Sequence, residues 1–258
     1  MSADDRFGGK VILVTGSSSG TGACIARAFA RQGARLAIHC RSDIASAERL
    51  AREITAEGQD AVVFKADLAD SVRTRQLAAD VSSRLGGVDI LVNAAGPFVG
   101  TPLLDLKDAA WDSVIAANLR APFQLAQALG PAMIRRGWGR IVNLGATSGL
   151  VRTHSIYGLA KAALVHLTES LALELAPAVT VNAVIPSQIA SPRTDTLIDY
   201  KRAAIAGTPL GRLVTEEEIA NVVVRICGPE FQFMTGRSIV LDGGRTLPRF
   251  PKLELEED

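Results

Sequence analysis

Short apolar runs alternate with longer segments of helical period along most of the chain. The runs are rich in Val and Ile and occupy residues 11–15, 36–40, 61–65, 90–93, 141–144, 181–185 and 238–241. Between them, apolar residues recur with a helical period at residues 23–31, 44–57, 72–85, 109–135, 156–175 and 216–227. Strands of a parallel sheet are buried on both faces by helices, which gives them nearly continuous apolar sequences. The pattern predicts an α/β fold with a parallel sheet between two helical layers.

The 258 residues contain no composition shift or flexible linker that would divide them. Such a length accommodates one large α/β domain. We therefore expect a single domain over residues 1–247, with an irregular insertion at about residues 187–211 and a charged, proline-punctuated tail over residues 248–258.

Composition and charge exclude several classes of protein. With 28 basic and 27 acidic residues, the formal charge is +1, which does not indicate binding to nucleic acid or to a membrane surface. The first residues resemble no signal peptide, and no apolar run reaches the roughly 18 residues of a membrane span, so we expect a cytoplasmic protein. The few cysteines and histidines are scattered, which predicts reduced thiols and no metal site: Cys24, Cys40, Cys227, His39, His154 and His166.

A glycine-rich turn follows the first predicted strand and leads directly into a predicted helix. It contains Gly16, Ser18, Ser19, Gly20 and Gly22. Glycines permit a tight turn and a close approach of a pyrophosphate to the backbone, where the N-terminus of the helix attracts the anion. The turn predicts dinucleotide binding, with a purely structural turn as the alternative.

The ends of the second and third strands indicate which dinucleotide is bound. The second strand ends without a carboxylate, and Arg41 and Ser42 offer a charge and a hydroxyl for a ribose 2′-phosphate. This favours NADP(H) over NAD(H); the alternative is that Arg41 is only a solvated surface charge. Asp67, after the third strand, is a candidate acceptor for the adenine amino group, or else a cap for the helix that starts near Ser71.

The segment 109–135 is predicted to be one long helix that Pro122 interrupts. Proline cannot donate to the carbonyl four residues earlier, which belongs to Asn118. A water on this free carbonyl would link Lys161 to solvent. A surface kink without function is the alternative.

Tyr157 and Lys161 lie four residues apart in a predicted helix, so both project from one face of it. A tyrosine has a pKa near 10, and a neighbouring ammonium group favours the phenolate. The pair would thus exchange a proton with an alcohol or a developing alkoxide. The same spacing also arises by chance on many helices.

Together these motifs resemble the classical short-chain dehydrogenase/reductase family. Within this family, the chain has a general resemblance to the 3-oxoacyl reductase-like branch. Residues 15–22 fit its TGxxxGxG motif, residues 93–96 fit its NNAG-type element as Asn-Ala-Ala-Gly, and Tyr157 with Lys161 fits YxxxK. The resemblance implies a Rossmann-type, doubly wound sheet of about seven parallel strands. It also implies a homo-oligomer, a tetramer or a dimer, that associates through the helices carrying Asn118 and Tyr157.

The resemblance assigns roles to individual residues. Tyr157 would be the catalytic acid/base, Lys161 would bind the nicotinamide ribose and lower the pKa of the tyrosine, and Asn118 would hold a relay water. The residues expected to bind the cofactor are Gly16, Ser18, Ser19, Gly20, Gly22, Arg41, Ser42, Asp67, Leu68, Asn93, Ala94, Gly96, Tyr157, Lys161, Pro186 and Ile189.

Three positions depart from the family pattern. Ala146 stands where the family usually has the serine that holds the substrate carbonyl, and the loop to Tyr157 is about two residues shorter than usual. Loss of one such donor typically costs about 2.7–4 kcal/mol in the transition state. Our hypothesis is that Thr147 or Ser148 replaces it, which with Ala146 and Phe98 gives the expected substrate residues. Ser187 replaces a common glycine, and Ser19 replaces a basic residue found in many NADP-preferring members.

The sequence thus predicts an NADPH-dependent reductase of a small carbonyl substrate. Two alternatives remain. A degenerate family member would bind NADP with little catalysis and act as a binding or regulatory subunit, which Ala146 and Ser187 favour and Tyr157, Lys161 and Asn118 oppose. A reductase of C=C or C=N bonds would depend less on the missing serine.

Overall fold

The computed structural model describes residues 5–151 and 155–248. His154 and all of the predicted tail except Pro248 lie outside these residues. Within them, no helix combines the length and apolar character needed to cross a bilayer.

Parallel strands form the centre of the fold. In chain order, the strands are β1 (Val11–Val14), β2 (Arg35–Cys40), β3 (Ala61–Lys65), β4 (Ile90–Asn93), β5 (Gly139–Leu144), β6 (Val179–Pro186), β7 (Ile189–Ala190), β8 (Val214–Thr215) and β9 (Ser238–Leu241). Seven of them form one sheet in the order β3-β2-β1-β4-β5-β6-β9, and β7 pairs with β8. All pairs are parallel, and Ile12 of β1 lies between Leu36 of β2 and Ile90 of β4. The predicted doubly wound parallel sheet is confirmed.

Helices cover both faces of this sheet. They are α1 (Gly20–Ala30), α2 (Ile44–Ala56), α3 (Ser71–Leu85), α4 (Asp108–Ile115), α5 (Ala121–Arg135), α6 (Ile156–Leu175), α7 (Pro192–Asp195), α8 (Ile198–Ala206) and α9 (Glu216–Ile226). Side chains of a strand alternate between its faces. In β1, Ile12 and Val14 pack into a core with α1, α2 and α9, whereas Val11 and Leu13 pack into a second core with α3, α5 and α6. This is why β1 is apolar at every position.

The prediction of one long helix over residues 109–135 is wrong in detail. Two helices, α4 and α5, are joined by a π-helical turn at Ala116–Arg120, where the amide of Ala121 donates to the carbonyl of Ala116, five residues earlier. Pro122 follows in the first turn of α5. A proline cannot make the α-helical bond to Asn118, and the wider turn before it takes the backbone out of that register.

The insertion predicted to be irregular contains two helices, α7 and α8. The start of α7 has a local cause: the Ser191 hydroxyl accepts from the amide of Thr194, and the Thr194 hydroxyl accepts from the amide of Ser191. This reciprocal cap, with Pro192 at the first helical position, fixes the start of the helix. A four-residue helix is too short to show an apolar period, which is why the pattern missed it.

Candidate active site

A cleft of about 390 Å³ opens at the carboxyl ends of β1, β2, β3 and β4. Sheet order reverses between β1 and β4, and such a switch point is where open α/β sheets bind ligands. The cleft brings together many of the residues expected to bind the cofactor: Gly16, Ser18, Ser19, Arg41, Ser42, Asp67, Leu68, Ala94 and Gly96.

The glycine turn has a geometry that only glycines satisfy. Gly16 and Gly20 have φ angles of 67° and 58°, in the left-handed region. At Gly22 a Cβ atom would overlap the carbonyl oxygen of Gly16. Ser19 precedes α1 without capping it through its side chain, so the amides of the first turn keep their capacity to bind an anion.

His39 lies beneath this turn and was missed as a site residue. Its Nδ1 accepts from the amide of Gly16 at 2.9 Å, and its Nε2 lies 3.1 Å from the carbonyl oxygen of Ala66. The residue is 2% exposed, and burial lowers the pKa of the imidazole to about 4. A histidine within an otherwise apolar strand sequence was the signal available, because a buried polar side chain requires partners.

Arg41 and Ser42 lie exposed at the rim of the cleft. In the described chain, Arg41 forms no ion pair with a carboxylate, so its charge is available to an anion. Asp67 accepts from the amide of Ala69 at 2.9 Å. The suggestion that Asp67 caps the third helix is wrong: Asp70 caps α3, because its carboxylate lies one residue before the first turn and accepts from Val72 and Arg73.

Asn118 fastens the loop after β4 to the π-helical turn. Its Nδ2 donates to the carbonyl oxygens of Pro97 and Val114, each at 3.1 Å. Its Oδ1 is buried without a hydrogen-bond partner in the described structure and lies where a Cβ on Gly96 would be. Gly96 therefore has no room for a side chain. Asn93 is also buried, and its Nδ2 donates to the Oδ1 of Asn143 at 2.8 Å; its contact with a cofactor stays a prediction.

Tyr157 and Lys161 project from the first turns of α6. The Ser155 hydroxyl accepts from the amide of Gly158 and fixes the start of this helix. Lys161 is 5% exposed; its Nζ donates to the carbonyl oxygen of Leu144 at 2.7 Å and lies 5.5 Å from the centroid of the Tyr157 ring. The structure brings the predicted pair together beside the end of β5.

Burial sets the acidity of both groups. It raises the pKa of Tyr157 to about 12 and lowers the pKa of Lys161 to about 8. In the chain alone, burial thus determines the net direction of the Tyr157 pKa, and the lowering of this pKa by Lys161 stays a prediction. The physical reason is that both groups lose hydration, which disfavours the charged form of each, while the ammonium is directed at Leu144.

The loop after β5 presents no hydroxyl at position 146, which is Ala146. Thr147 is buried, and the Ser148 Oγ is enclosed without a partner in the described structure. Gly149 holds the loop against α6, since a Cβ there would lie 2.7 Å from the amide nitrogen of Ala162. Phe98, which is 56% exposed, packs edge-on against Tyr157 with ring centroids 5.1 Å apart. Whether Thr147 or Ser148 replaces the serine stays a prediction.

Pro186 and Ile189 lie at the carboxyl end of β6 and just beyond it. Pro186 ends β6 opposite Leu241, and Ile189 begins β7 opposite Val214. Between them, the amide of Ser187 donates to the carbonyl oxygen of Leu241. None of the described non-glycine residues has a positive φ angle, so Ser187 occupies this position without backbone strain.

Comparison with other proteins gives matches over nearly the whole chain. Residues 16–246 match a family model described as enoyl-(acyl carrier protein) reductase. The chain is 36% identical over 239 residues to the 3-oxoacyl-[acyl-carrier-protein] reductase FabG of Staphylococcus aureus, covering 91% of this chain and 97% of that protein. It is also 36% identical over 240 residues to nodulation protein G of a Rhizobium species, covering 92% and 96% respectively.

Solved structures share the fold. A gluconate 5-dehydrogenase from Burkholderia cenocepacia, crystallised with NADP and tartrate, superposes with a TM-score of 0.86 at 30% identity, covering 95% of this chain and 98% of that one. A short-chain type dehydrogenase/reductase from Mycobacterium marinum superposes with a TM-score of 0.88 at 32% identity, with the same coverage of 95% and 98%.

Proposed function

The chain belongs to the short-chain dehydrogenase/reductase family of oxidoreductases, and we propose that it transfers hydride between NADP(H) and a carbonyl or alcohol substrate, with Tyr157 as the acid/base. The observation that carries the proposal is the position of Tyr157. It stands beside Lys161 on α6 and contacts Phe98, two residues from Gly96 in the wall of the cleft. A proton donor thus adjoins a cleft suited to a dinucleotide.

The residues along the cleft fit such a cofactor. The backbone of residues 16–22 would hold the pyrophosphate, because Gly16 and Gly22 leave it uncovered. Arg41 and Ser42 would hold the 2′-phosphate, and Asp67 and Leu68 would contact the adenine. The gluconate 5-dehydrogenase of similar fold was crystallised with NADP, which supports the choice of NADP(H) over NAD(H).

Smaller contacts complete the cofactor site. Ala94 and Gly96 would lie against the ribose and nicotinamide, Tyr157 and Lys161 would bind the nicotinamide ribose, and Pro186 and Ile189 would contact the nicotinamide ring. When bound, the nicotinamide supplies the hydride.

Tyr157 would hold the proton that the substrate oxygen receives. Because burial raises the pKa of this phenol to about 12, it is protonated at neutral pH, as reduction of a carbonyl requires. The pKa of Lys161, lowered to about 8, keeps the ammonium mostly charged at pH 7, where it stabilises the phenolate left after proton transfer. The main-chain carbonyl of Asn118 would hold the water that returns a proton through Lys161.

Turnover of NADPH with a panel of ketones, aldehydes, quinones and 3-oxoacyl thioesters tests the proposal. The thioesters are included because the Staphylococcus aureus relative is a 3-oxoacyl-[acyl-carrier-protein] reductase. We expect turnover with at least one class and a loss of about 10²–10⁴-fold in Tyr157→Phe. Tyr200→Phe is the matched control, since this second tyrosine lies on α8 and is half exposed.

Other outcomes point to the alternatives. Binding of NADPH without turnover across the panel would support a degenerate, regulatory subunit, which the enclosed Ser148 hydroxyl and the absence of a hydroxyl at Ala146 favour. Products reduced at C=C or C=N would support the other alternative.

We also propose a homo-oligomer, dimer or tetramer, that associates through α5 and α6. These helices expose apolar side chains to solvent: Phe123, Ile134, Leu159 and Leu173. A contiguous apolar patch formed by such side chains would be an association surface. Sedimentation of the wild type and of Leu173→Glu, which is 84% exposed in the single chain, tests this. The cytoplasmic location stays a prediction from the sequence.

A further inference from the structure

We propose that His39 is a positioning residue that holds the two sides of the dinucleotide cleft in register. The inference rests on the proposed function, because it concerns the same cleft. Its basis is a single buried ring that hydrogen-bonds to the glycine turn on one side and to the loop after β3 on the other.

The partners of the ring determine its protonation state. The Gly16 amide can only donate, so Nδ1 must be an unprotonated acceptor. The Ala66 carbonyl can only accept, so Nε2 must carry the hydrogen. His39 is therefore a neutral imidazole with its hydrogen on Nε2, and both ring nitrogens are satisfied in a site that is 2% exposed.

The two partners belong to opposite sides of the cleft. Gly16 is the first residue of the glycine turn and lines the pyrophosphate end. Ala66 directly precedes Asp67 and Leu68, which line the adenine end. The imidazole thus connects two loops that follow different strands, β1 and β3, with β2 between them.

Main-chain hydrogen bonds also connect the loops of the cleft to β2, but they do not connect one loop directly to the other. The Ser17 amide donates to the His39 carbonyl at 2.9 Å, and the His39 amide donates to the Ser17 hydroxyl at 3.0 Å. These bonds join the glycine turn to β2 whatever the side chain at position 39. The amide of Ala66 likewise donates to the carbonyl of Cys40 in β2 at 3.1 Å, so each loop is tied to β2 separately. Among the described hydrogen bonds, the imidazole is the one group that contacts both Gly16 and Ala66 directly.

The expected consequence is selective for cofactor binding. Loss of the ring leaves the part-buried Gly16 amide without its acceptor and removes the direct connection between the two loops. Tyr157 and Lys161 are fixed by α6 and by Leu144, through contacts that do not involve His39. We therefore expect weaker NADPH binding with an unchanged chemical step.

Three substitutions separate the two hydrogen bonds. His39→Asn keeps an acceptor near the Nδ1 position, His39→Gln keeps a donor near the Nε2 position, and His39→Leu keeps neither. Ile38→Val is the matched control, because Ile38 is a neighbouring residue of β2 with no exposure to solvent and no side-chain hydrogen bond. Each variant is titrated with NADPH by fluorescence. The kcat and the KM for NADPH are then measured with a saturating concentration of whichever carbonyl compound of the panel the wild type reduces.

We expect the Kd of His39→Leu for NADPH to be about tenfold higher than that of the wild type, or more. The Kd values of His39→Asn and His39→Gln should lie between those of His39→Leu and the wild type. Ile38→Val should bind NADPH as the wild type does. The KM for NADPH should rise with kcat nearly unchanged. Hydrogen exchange without cofactor should increase in both loops of His39→Leu, at residues 16–20 and 66–69.

Two results would overturn the inference in distinguishable ways. Unchanged NADPH affinity and loop exchange in His39→Leu, with binding by the wild type intact, would refute the positioning role and leave the proposed function standing. Failure of the wild type to bind NADPH would refute both.

Discussion

Lys161 donates to the main-chain carbonyl of Leu144, so the ammonium is held by the end of β5 while Tyr157 stands one helical turn away on α6. This contact connects the candidate acid/base to the sheet that forms the cleft. It also explains why Lys161 can remain charged although it is nearly completely buried, since a charged donor with a good acceptor loses less on burial.

The contact predicts a pH dependence for carbonyl reduction. Well below pH 8 Lys161 is an ammonium. As pH rises through the Lys161 pKa of about 8, the charge that supports the Tyr157 phenolate is lost. The Tyr157 pKa of about 12 lies too high to contribute in this range. We expect kcat to be flat at lower pH and to fall above pH 8 at saturating NADPH. Lys161→Met should have a lower kcat, and its plot of kcat against pH should have no inflection near pH 8. If the inflection persists in this variant, another group causes it.

Arg41 is expected to select the phosphorylated cofactor. Its guanidinium is exposed at the rim of the cleft without a carboxylate partner in the described structure. Arg41→Ala should raise the Kd for NADPH by about tenfold or more and leave the Kd for NADH nearly unchanged, because only NADPH carries the 2′-phosphate. Arg49→Ala, which removes an exposed charge on α2, is the control. If the affinities for NADPH and NADH fall equally, or if neither changes, Arg41 is only a surface charge.

The loop after β5 predicts a rescue experiment. If Thr147 or Ser148 supplies the missing hydroxyl, Thr147→Val or Ser148→Ala should lower kcat by roughly a hundredfold, the usual effect of one oxyanion donor. Ala146→Ser, combined with the harmful substitution, should restore much of the rate. Unchanged kcat in both single variants would refute the hypothesis that Thr147 or Ser148 replaces the serine. A large increase in kcat in Ala146→Ser alone would show that the natural site works without that donor.

His39 predicts a loss of stability in mild acid. The unfolded chain takes up a proton near the ordinary histidine pKa of 6.5, whereas in the folded state burial lowers the pKa to about 4, partly offset by the Ala66 carbonyl and the Asp67 charge. The free energy of unfolding is therefore unaffected by His39 titration above pH 6.5. It decreases by about 3 kcal/mol as pH falls from 6.5 towards 4.

Urea unfolding at several pH values, compared with a neutral replacement, isolates this effect. His39→Gln should be less stable at pH 7 and should lose less stability than the wild type between pH 6.5 and 4. His166→Gln, at an exposed position on α6, should follow the wild type. Parallel pH curves for wild type and His39→Gln would contradict the lowered pKa.

The sequence by itself determined the order of the strands and long helices. The apolar run at β1 and the helical period at α6 are local patterns, set by which faces of each element are buried. The same holds for Gly16 and Gly22, which follow the first strand and lead into the first helix and so indicated a turn, and for the spacing of Tyr157 and Lys161. The cap of α7 at Ser191 and Thr194 is also local, but the element is too short to show a period.

Only the tertiary structure decided what connects these elements. The bond from Lys161 to Leu144, the ring of His39 between Gly16 and Ala66, and the close approach of Asn118 to Gly96 join residues from separate elements. The raised pKa of Tyr157 depends on how much water the folded chain excludes. Periodicity indicates which face of an element is buried. It does not indicate which residues that face contacts or how much water is excluded there, because both depend on the packing of segments that are distant in sequence.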